Sequence, residues 1–146
     1  MARLAGELVV VDTSVFSYIW KKDSRAAPYL ERLEGSIPAL SFQTVGEVMY
    51  GAHKRKYIER TFNELRSEIR KYYVVPFNQE IAEEWGKIMA ERDAVGNSLE
   101  WRDAWIAATA RWLKVPVMTH NRRHFEATEG LEVITFAPPR SPTVDL

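Results

Sequence analysis

The chain has 146 residues, 46% of them hydrophobic, and equal numbers of acidic and basic side chains, so its formal net charge at pH 7 is zero. This length and composition predict one globular domain, and any binding of nucleic acid must come from a local patch of charge rather than from the net charge. The absence of cysteine excludes a disulfide scaffold and thiol catalysis, and it leaves only oxygen and histidine ligands for a metal.

The first elements predicted along the chain are a buried strand and two short helices. Leu8–Val11 reads LVVV, a β-branched run typical of a strand buried on both faces of a parallel sheet. Thr13 or Ser14 could cap a helix that begins directly after this strand. A second helix is predicted over residues 28–33, and a short strand over residues 37–40.

Two amphipathic helices, a strand and a third helix are predicted next. Apolar side chains recur at helical spacing from Thr44, and again from residue 57 to about residue 71, where charges occupy the opposite side. Residues 72–75 form an apolar run stopped by a proline, which predicts a strand. Asn78 can cap the helix that follows, and Gly96 breaks the chain after it.

The last part of the chain predicts an alanine-rich helix over residues 97–113, followed by strands over residues 116–120 and 131–136. Residues 137–146 contain three prolines and are expected to lie on the surface or to fray. Strands alternate with helices throughout. This order predicts a single α/β domain over residues 1–146, a three-layer α/β/α fold with a central parallel sheet and right-handed crossovers.

No stretch resembles a signal peptide or a membrane span. The N-terminal apolar run is short and interrupted by Glu7, and no run reaches the roughly 20 apolar residues that a spanning helix needs. We therefore expect a cytoplasmic protein that does not insert into membranes.

Polar side chains follow two of the predicted strands. Asp12 comes directly after the first strand, and Asn121 comes after a later one. In parallel sheets, ligands bind beyond the carboxyl ends of the strands, where the strand order reverses. If these two strands are neighbours at that point, both side chains enter one crevice.

Three further acidic side chains could reach the same crevice. Glu47 lies in the first turns of a helix among apolar neighbours, Asp103 lies on the alanine-rich helix, and Glu100 shares a helix face with Asp103. Partly buried carboxylates repel one another unless a hard cation such as Mg²⁺ or Mn²⁺ binds them. A carboxylate–metal crevice without a nucleotide-binding loop suggests phosphodiester hydrolysis, because bound metal acidifies water and stabilises charge on a phosphoryl oxygen.

Each acid also has an ordinary structural explanation. Asp12 could be a helix N-cap or a turn residue, and Glu47 could be a first-turn glutamate favoured by the helix dipole. Asp103 could pair with a neighbouring arginine on the surface. For Glu100 we favour the structural explanation, since residues 97–100 read NSLE, the pattern of a capping box.

Four stretches, in this order, resemble the PIN-domain family and, within it, the VapC-type toxins of type II toxin–antitoxin systems: VVVDTSVF, SFQTVGEVMYGA, EWRDAWIAATA and VMTHNRRHFEATEGLEVITF. The resemblance extends from about residue 8 to about residue 136. It implies a sheet with the first strand at its centre and a Mg²⁺- or Mn²⁺-dependent endoribonuclease. Asp12, Glu47 and Asp103 match the family's three best-defined acidic positions, which implies that they hold the metal and carry the catalysis.

The chain departs from the family pattern at one position of the expected site. The family usually places a fourth acid after its TxN element, here Thr119-His120-Asn121, and many relatives carry an aspartate where this chain has His124. The missing charge favours one well-bound ion, with any second ion arriving with the substrate phosphate. Asn121 can still ligate the metal, or orient a water on it, through its carbonyl oxygen.

The resemblance and the local sequence suggest roles for further residues. Relatives use the hydroxyl after the first aspartate, here Thr13 or Ser14, to position that carboxylate or the scissile phosphate. Arg122 and Arg123 follow the expected site and are candidates for contacts with RNA phosphates. His124 could transfer protons or contact RNA, but we favour a hydrogen-bonded structural histidine beside a buried phenylalanine.

The two amphipathic helices, from Thr44 to about residue 71, correspond to the region in which the family builds a homodimer contact and a groove for the antitoxin. We therefore expect an RNA substrate, a small antitoxin protein as partner, and a homodimer. Two other functions stay open. One is a PIN-domain nuclease that processes RNA or DNA without an antitoxin, and the other is a non-catalytic binding module that keeps the fold.

Overall fold

The computed structural model of the chain describes residues 6–139. Its sheet has five parallel strands: β1 Leu8–Val11, β2 Ile37–Ser41, β3 Tyr73–Val75, β4 Val117–Met118 and β5 Val133–Ile134. Their order is β3-β2-β1-β4-β5, so β1 lies at the centre between β2 and β4. The strand order reverses beside β1, and the carboxyl ends of β1 and β4 meet at one edge of the sheet. A central β1 is what the family resemblance implied, and the pairing of β1 with β4 meets the condition under which Asp12 and Asn121 were expected at one crevice.

Seven α-helices lie among the described residues, and at least one of them connects each strand to the next. They are α1 Thr13–Trp20, α2 Ala27–Leu33, α3 Phe42–Lys54, α4 Glu59–Ile69, α5 Gln79–Ala94, α6 Trp101–Leu113 and α7 Arg122–Phe125. Because every strand pair is parallel, each connection must cross back over the sheet and bury a helix against one of its faces.

The side chains of β1 alternate between two hydrophobic cores, one on each face of the sheet. Val10 belongs to a core shared with α5 and α6. Val9 and Val11 belong to a second core shared with α1, α2 and α4. All three valines are fully buried, and each contributes about 1.5–3 kcal/mol to the hydrophobic free energy of folding. The fold is therefore the predicted three-layer α/β/α arrangement.

Small side chains let α6 pack closely against the sheet. Four alanines on this helix are completely buried in the core that contains Val10 of β1: Ala104, Ala107, Ala108 and Ala110. Since none of them projects beyond Cβ, the N-terminal turn of α6 and its Asp103 can approach the carboxyl edge of the sheet.

Three local details differ from the sequence predictions. Asp12 rather than Thr13 or Ser14 is the N-cap of α1, because its backbone is still extended and its carboxylate accepts the Thr13 amide. α6 begins at Trp101 and is capped by Glu100, so the capping box predicted over residues 97–100 is wrong. The four-residue helix α7 was not predicted, because a single turn is too short to give a periodic pattern.

The C-terminal segment is described only in part. Of the predicted surface tail, Pro138 and Pro139 are exposed, and residues 140–146 lie outside the described part of the chain. Between residues 6 and 139, no helix combines the length and apolarity that crossing a membrane would require.

Candidate functional site

Asp12 is fixed at the carboxyl end of β1 by three hydrogen bonds. Its Oδ1 atom accepts the Thr13 backbone N–H at 2.8 Å, and its Oδ2 atom accepts the hydroxyls of Ser14 at 3.0 Å and Thr119 at 2.7 Å. The residue is only 3% exposed. Burial raises the pKa of the Asp12 carboxyl above its ordinary value, although the three hydrogen bonds oppose that change. The carboxylate is thus a buried acid with one fixed orientation.

The loop after β4 is tied to the start of α1 through the same hydroxyls. The Thr119 hydroxyl accepts the Asn121 backbone N–H at 2.9 Å, and the Ser14 hydroxyl accepts the His120 backbone N–H at 3.2 Å. Ser14 and Thr119 therefore each bridge Asp12 to the loop that contains the TxN element. The structure thus brings the two predicted strand ends together through backbone and hydroxyl groups.

The side chain of Asn121 is not directed into this network. Asn121 is exposed, and it precedes α7 without making a side-chain capping bond. It lines an open cleft of about 530 Å³ together with Arg122, Arg123 and His124. Glu47 and Asp103 line a second cleft, which shares Arg123 and His124 with the first but is not lined by Asn121.

Glu47 lies in the second turn of α3 and is half-buried. The Gln43 side-chain amide donates to its Oε1 atom at 3.1 Å. One turn earlier, the buried Thr44 hydroxyl lies 3.1 Å from that of Thr13 and joins α3 to the start of α1. Thr13 is therefore linked to the site through its backbone amide and through this hydroxyl pair.

Asp103 lies in the first turn of α6 and faces the other acids. Burial raises the pKa of its carboxyl from the ordinary 3.8 to about 6, against the opposing effect of His124, and the negative charges of Asp12, Glu100 and Glu47 raise it further. The fields of the three predicted acids thus overlap at Asp103. The alternative explanation of Asp103 as the surface partner of a neighbouring arginine does not apply, since Arg102 pairs with Glu100 and Arg111 with glutamates of α5.

His124 and Glu100 flank Asp103. Nδ1 of His124 lies 2.8 Å from Oδ2 of Asp103, and its imidazole is half-exposed. The ring lies beside Phe125, as expected, but it also contacts the acidic site. Glu100 is exposed; its carboxylate accepts the backbone N–H groups of Arg102 and Asp103, which identifies it as a cap.

An open cleft of about 510 Å³ contains both kinds of charge. Acidic side chains line it from α3 and from the start of α6, and basic side chains line it from α5, α6 and α7. These residues are Glu47, Glu100, Asp103, Arg92, Arg102, Arg123 and His124. The basic side chains of such a cleft suit an anionic ligand, and its acidic side chains suit a metal cation that the same ligand can bind.

The donor chemistry suits a hard divalent cation. Carboxylate oxygens are the ligands that Mg²⁺ and Mn²⁺ prefer, and a bound cation would offset both the burial of the Asp103 carboxyl and the repulsion from Asp12, Glu100 and Glu47 that raise its pKa. In the part of the chain that the structure describes, however, no three histidine or acidic side chains are already arranged as ligands of one ion. A bound metal therefore requires these side chains to move closer together.

Sequence reasoning did not single out four of the residues that organise this site: Gln43, Thr44, Arg92 and the hydroxyl of Thr119. Gln43 and Thr44 precede Glu47 by four and three residues, which places all three on one face of a helix and was the available signal. The other contacts join residues that are distant in sequence or depend on side-chain orientation, so no local pattern reveals them.

Comparison with known proteins supports the same interpretation. A family model of the PIN domain matches residues 9–131. The VapC ribonuclease Y4jK of Sinorhizobium fredii is 30% identical over 137 residues, which cover 87% of this chain and 96% of that protein. The ribonuclease VapC1 of Methanocaldococcus jannaschii is 32% identical over 129 residues, covering 86% and 85%. A toxin–antitoxin complex from Klebsiella pneumoniae contains a chain with a TM-score of 0.68 and 28% identity, over 87% of this chain and 96% of that one.

The chain therefore belongs to the PIN-domain family. The two relatives named above group it, within that family, with the VapC proteins, and this confirms the resemblance seen in the sequence.

Proposed function

We propose that this protein is a metal-dependent endoribonuclease and the toxin of a toxin–antitoxin pair. The observation that carries the proposal is that Asp12 and Glu47 lie close enough to Asp103 for their negative charges to raise its pKa. The three acids come from different parts of the chain. The names of the two curated relatives, both VapC ribonucleases, support RNA as the substrate.

In this proposal Asp12, Glu47 and Asp103 hold Mg²⁺ or Mn²⁺, and Asn121 assists through its amide oxygen. The ion, when bound, would lower the pKa of a coordinated water and stabilise negative charge on the phosphoryl oxygens. Ser14 and Thr119 hold the Asp12 carboxylate in one orientation. Because His124 stands where relatives carry a fourth acid, the site favours one tightly held ion.

The proposed reaction is hydrolysis of an RNA phosphodiester. A water oxygen forms a new bond to phosphorus, the bond from phosphorus to the 3′-oxygen breaks, and that oxygen takes up a proton. The products are a 5′-phosphate and a 3′-hydroxyl. Arg122 and Arg123 are exposed and form no ion pair among residues 6–139, so both are available to RNA phosphates.

The proposed protein partner is a small antitoxin, and we also propose a homodimer. The solved toxin–antitoxin complex from Klebsiella pneumoniae supports the partner. Large apolar side chains on and beside α3 support a protein contact there: Tyr50 and Ile58 are each 68% exposed. An RNA substrate and an antitoxin together imply a cytoplasmic protein. Co-purification of a small protein, or a small reading frame beside the gene, would separate this function from a nuclease that works without an antitoxin.

Cleavage of total RNA with and without Mg²⁺ tests the enzyme assignment. We expect Mg²⁺-dependent cleavage by the parent protein and loss of at least about 100-fold in rate for Asp12→Asn, which keeps the shape of the side chain but removes the charge and one of its two acceptor oxygens. If Asp12→Asn cuts as fast as the parent, the assigned site is wrong.

A non-catalytic PIN-like module is the second candidate. The His124 substitution and the lack of three preformed ligands between residues 6 and 139 favour it. Calorimetric titration with Mn²⁺ separates the two candidates, because an enzyme should bind Mn²⁺ stoichiometrically and lose that binding in Asp12→Asn.

A further inference from the structure

Arg92, near the end of α5, is a buried cation without a carboxylate partner. It is 3% exposed, and it forms no ion pair with any acidic group among residues 6–139. Arginine does not deprotonate in proteins, and a buried charge that lacks a counter-charge is unfavourable. The position therefore needs an explanation beyond packing.

The guanidinium bonds to three segments that surround the cleft. Its Nε donates to the Asn97 carbonyl at 2.8 Å, and its Nη1 donates to the Thr128 hydroxyl at 2.8 Å and to the His124 carbonyl at 3.3 Å. These acceptors are all neutral, so they orient the group without neutralising it. Within residues 6–139, Nη2 donates no hydrogen bond. It is also not fully buried, because no fully buried side-chain nitrogen or oxygen in this part of the chain lacks a hydrogen-bond partner. Arg92 lines the cleft, and Nη2 is the guanidinium nitrogen that has no acceptor among these residues.

The other charges of the cleft leave two arginines available for an anion. Arg102 is paired with Glu100, and His124 contacts Asp103. Arg123, like Arg92, forms no ion pair with the described acids. The cleft thus has an acidic side at Glu47 and Asp103 and a side with uncompensated positive charge.

We propose that Arg92, together with Arg123, forms a subsite for a backbone phosphate of the RNA strand, next to the phosphodiester that is cut. This inference rests on the proposed function and adds a substrate contact to it. The two N–H groups of Nη2 can donate to the oxygens of a phosphate, and the fixed hydrogen bonds of Nε and Nη1 hold the guanidinium in place before RNA arrives. The exposed Arg123, which also lines the cleft, adds a second cation.

Salt-dependent RNA binding tests the subsite without any catalysis. A short labelled single-stranded RNA is titrated with metal-free protein in EDTA at several salt concentrations, and binding is followed by fluorescence anisotropy. For Arg92→Gln we expect about tenfold weaker binding, since a charge-assisted contact is lost. The slope of log K against log salt should fall by about 0.7, the value for one phosphate contact on a single strand. Arg123→Gln should lower the slope in the same way.

Two matched controls separate the charge from the scaffold. Thr128→Val removes one hydrogen bond of Arg92 but leaves its charge, so the salt slope should stay at the parent value. Arg70→Gln removes an exposed charge just before the amino end of β3, at the opposite edge of the sheet, and should also leave the slope unchanged. An unchanged slope in Arg92→Gln, an equal loss of slope in Thr128→Val, or no RNA binding by the parent overturns the inference.

A measurement on the parent protein keeps the test decisive if Arg92→Gln does not fold. Titration with inorganic phosphate in EDTA should shift the side-chain Nε–H resonance of Arg92 in a nuclear magnetic resonance spectrum, and no shift contradicts the subsite. Failure of the proposed function can be distinguished from failure of the subsite. A parent protein that binds RNA through Arg92 but cuts none refutes only the proposed endoribonuclease activity. A parent whose cleavage depends on Asp12 but whose RNA binding is independent of Arg92 refutes only the subsite.

Discussion

Nδ1 of His124 lies 2.8 Å from Oδ2 of Asp103, so an imidazole from α7 contacts the one acid of the site whose carboxyl has its pKa raised to about 6. The contact partly compensates for the negative charges of Asp12 and Glu47 nearby. In a chain without a fourth acid, this imidazole occupies space that an additional carboxylate would take, and it reduces the demand for a second cation.

The first prediction concerns His124→Asp, which puts a fourth acid at this position. Without metal, the new carboxylate repels Asp103, and we expect the thermal midpoint in EDTA to fall below that of the parent. With Mn²⁺ the order should reverse, since more carboxylates bind the ion more tightly. Calorimetry should show Mn²⁺ binding that is about tenfold tighter or has a second step. His124→Asn is the matched neutral control, and equal Mn²⁺ affinities in all three proteins would contradict the prediction.

The second prediction follows from the raised pKa of Asp103. The folded state holds this proton more tightly than the unfolded state, so the contribution of Asp103 to stability is fully present below pH 3.8 and is lost as the pH rises to about 6. Asp103→Asn does not titrate. Relative to the parent in EDTA, it should therefore gain about 1–2 kcal/mol in the free energy of unfolding between pH 4 and pH 7.

Urea denaturation of both proteins at several pH values measures this difference directly. Acids far from Asp103 titrate alike in both proteins and cancel when the two curves are subtracted, whereas the difference that remains includes the coupling of Asp103 to Asp12, Glu47 and Glu100. A difference between the curves that is flat across pH 4 to 7 would show that the Asp103 pKa is not raised.

The third prediction concerns the hydroxyl of Thr119. Thr119→Val preserves the shape of the side chain but removes the donor to Asp12 and the acceptor for the Asn121 amide. Leaving buried polar groups unpaired should lower the free energy of unfolding by about 1–3 kcal/mol. If the proposed function holds, RNA cleavage should fall by at least about tenfold under conditions where the protein is fully folded. Thr61→Val on α4, away from the site, is the control, and cleavage at the parent rate would mean that Asp12 keeps its orientation without Thr119.

The sequence predicted the sheet and the acids for physical reasons that are local. Three consecutive valines can be buried only in a strand covered on both faces, and an acid after such a strand lies at a ligand-binding edge. The sequence could not predict the contacts that orient the acids. Thr119 bonds Asp12 across 107 residues, and Arg92 is a charged residue in a helix whose pattern gives no sign of its burial. The capping box at residues 97–100 was predicted wrongly, because Glu100 itself accepts the first backbone N–H groups of α6 and is the N-cap. The residue types alone do not show whether the helix begins after Asn97 or after Glu100.

The fourth prediction concerns the close approach of α6 to the sheet. Ala107 is completely buried, and Ala107→Leu forces three additional carbons into that contact. Overpacking of this kind should destabilise the fold by about 1–3 kcal/mol and move the first turn of α6 away from β1. We expect a lower thermal midpoint and weaker Mn²⁺ binding than in the parent. Ala90→Leu, at an exposed position of α5, is the control for the added side chain. Unaltered Mn²⁺ affinity in Ala107→Leu would show that α6 can shift without disturbing Asp103.

The hydrogen bond between Thr119 and Asp12 also has a consequence for biosynthesis. A growing polypeptide that has not yet reached residue 119 contains Asp12, Glu47 and Asp103 but lacks a hydroxyl that orients the first of them and the strand beside β1 on which that hydroxyl stands. An incomplete chain therefore lacks a contact that fixes Asp12, and the acidic edge takes its final form only after β4 has been made and has joined the sheet beside β1.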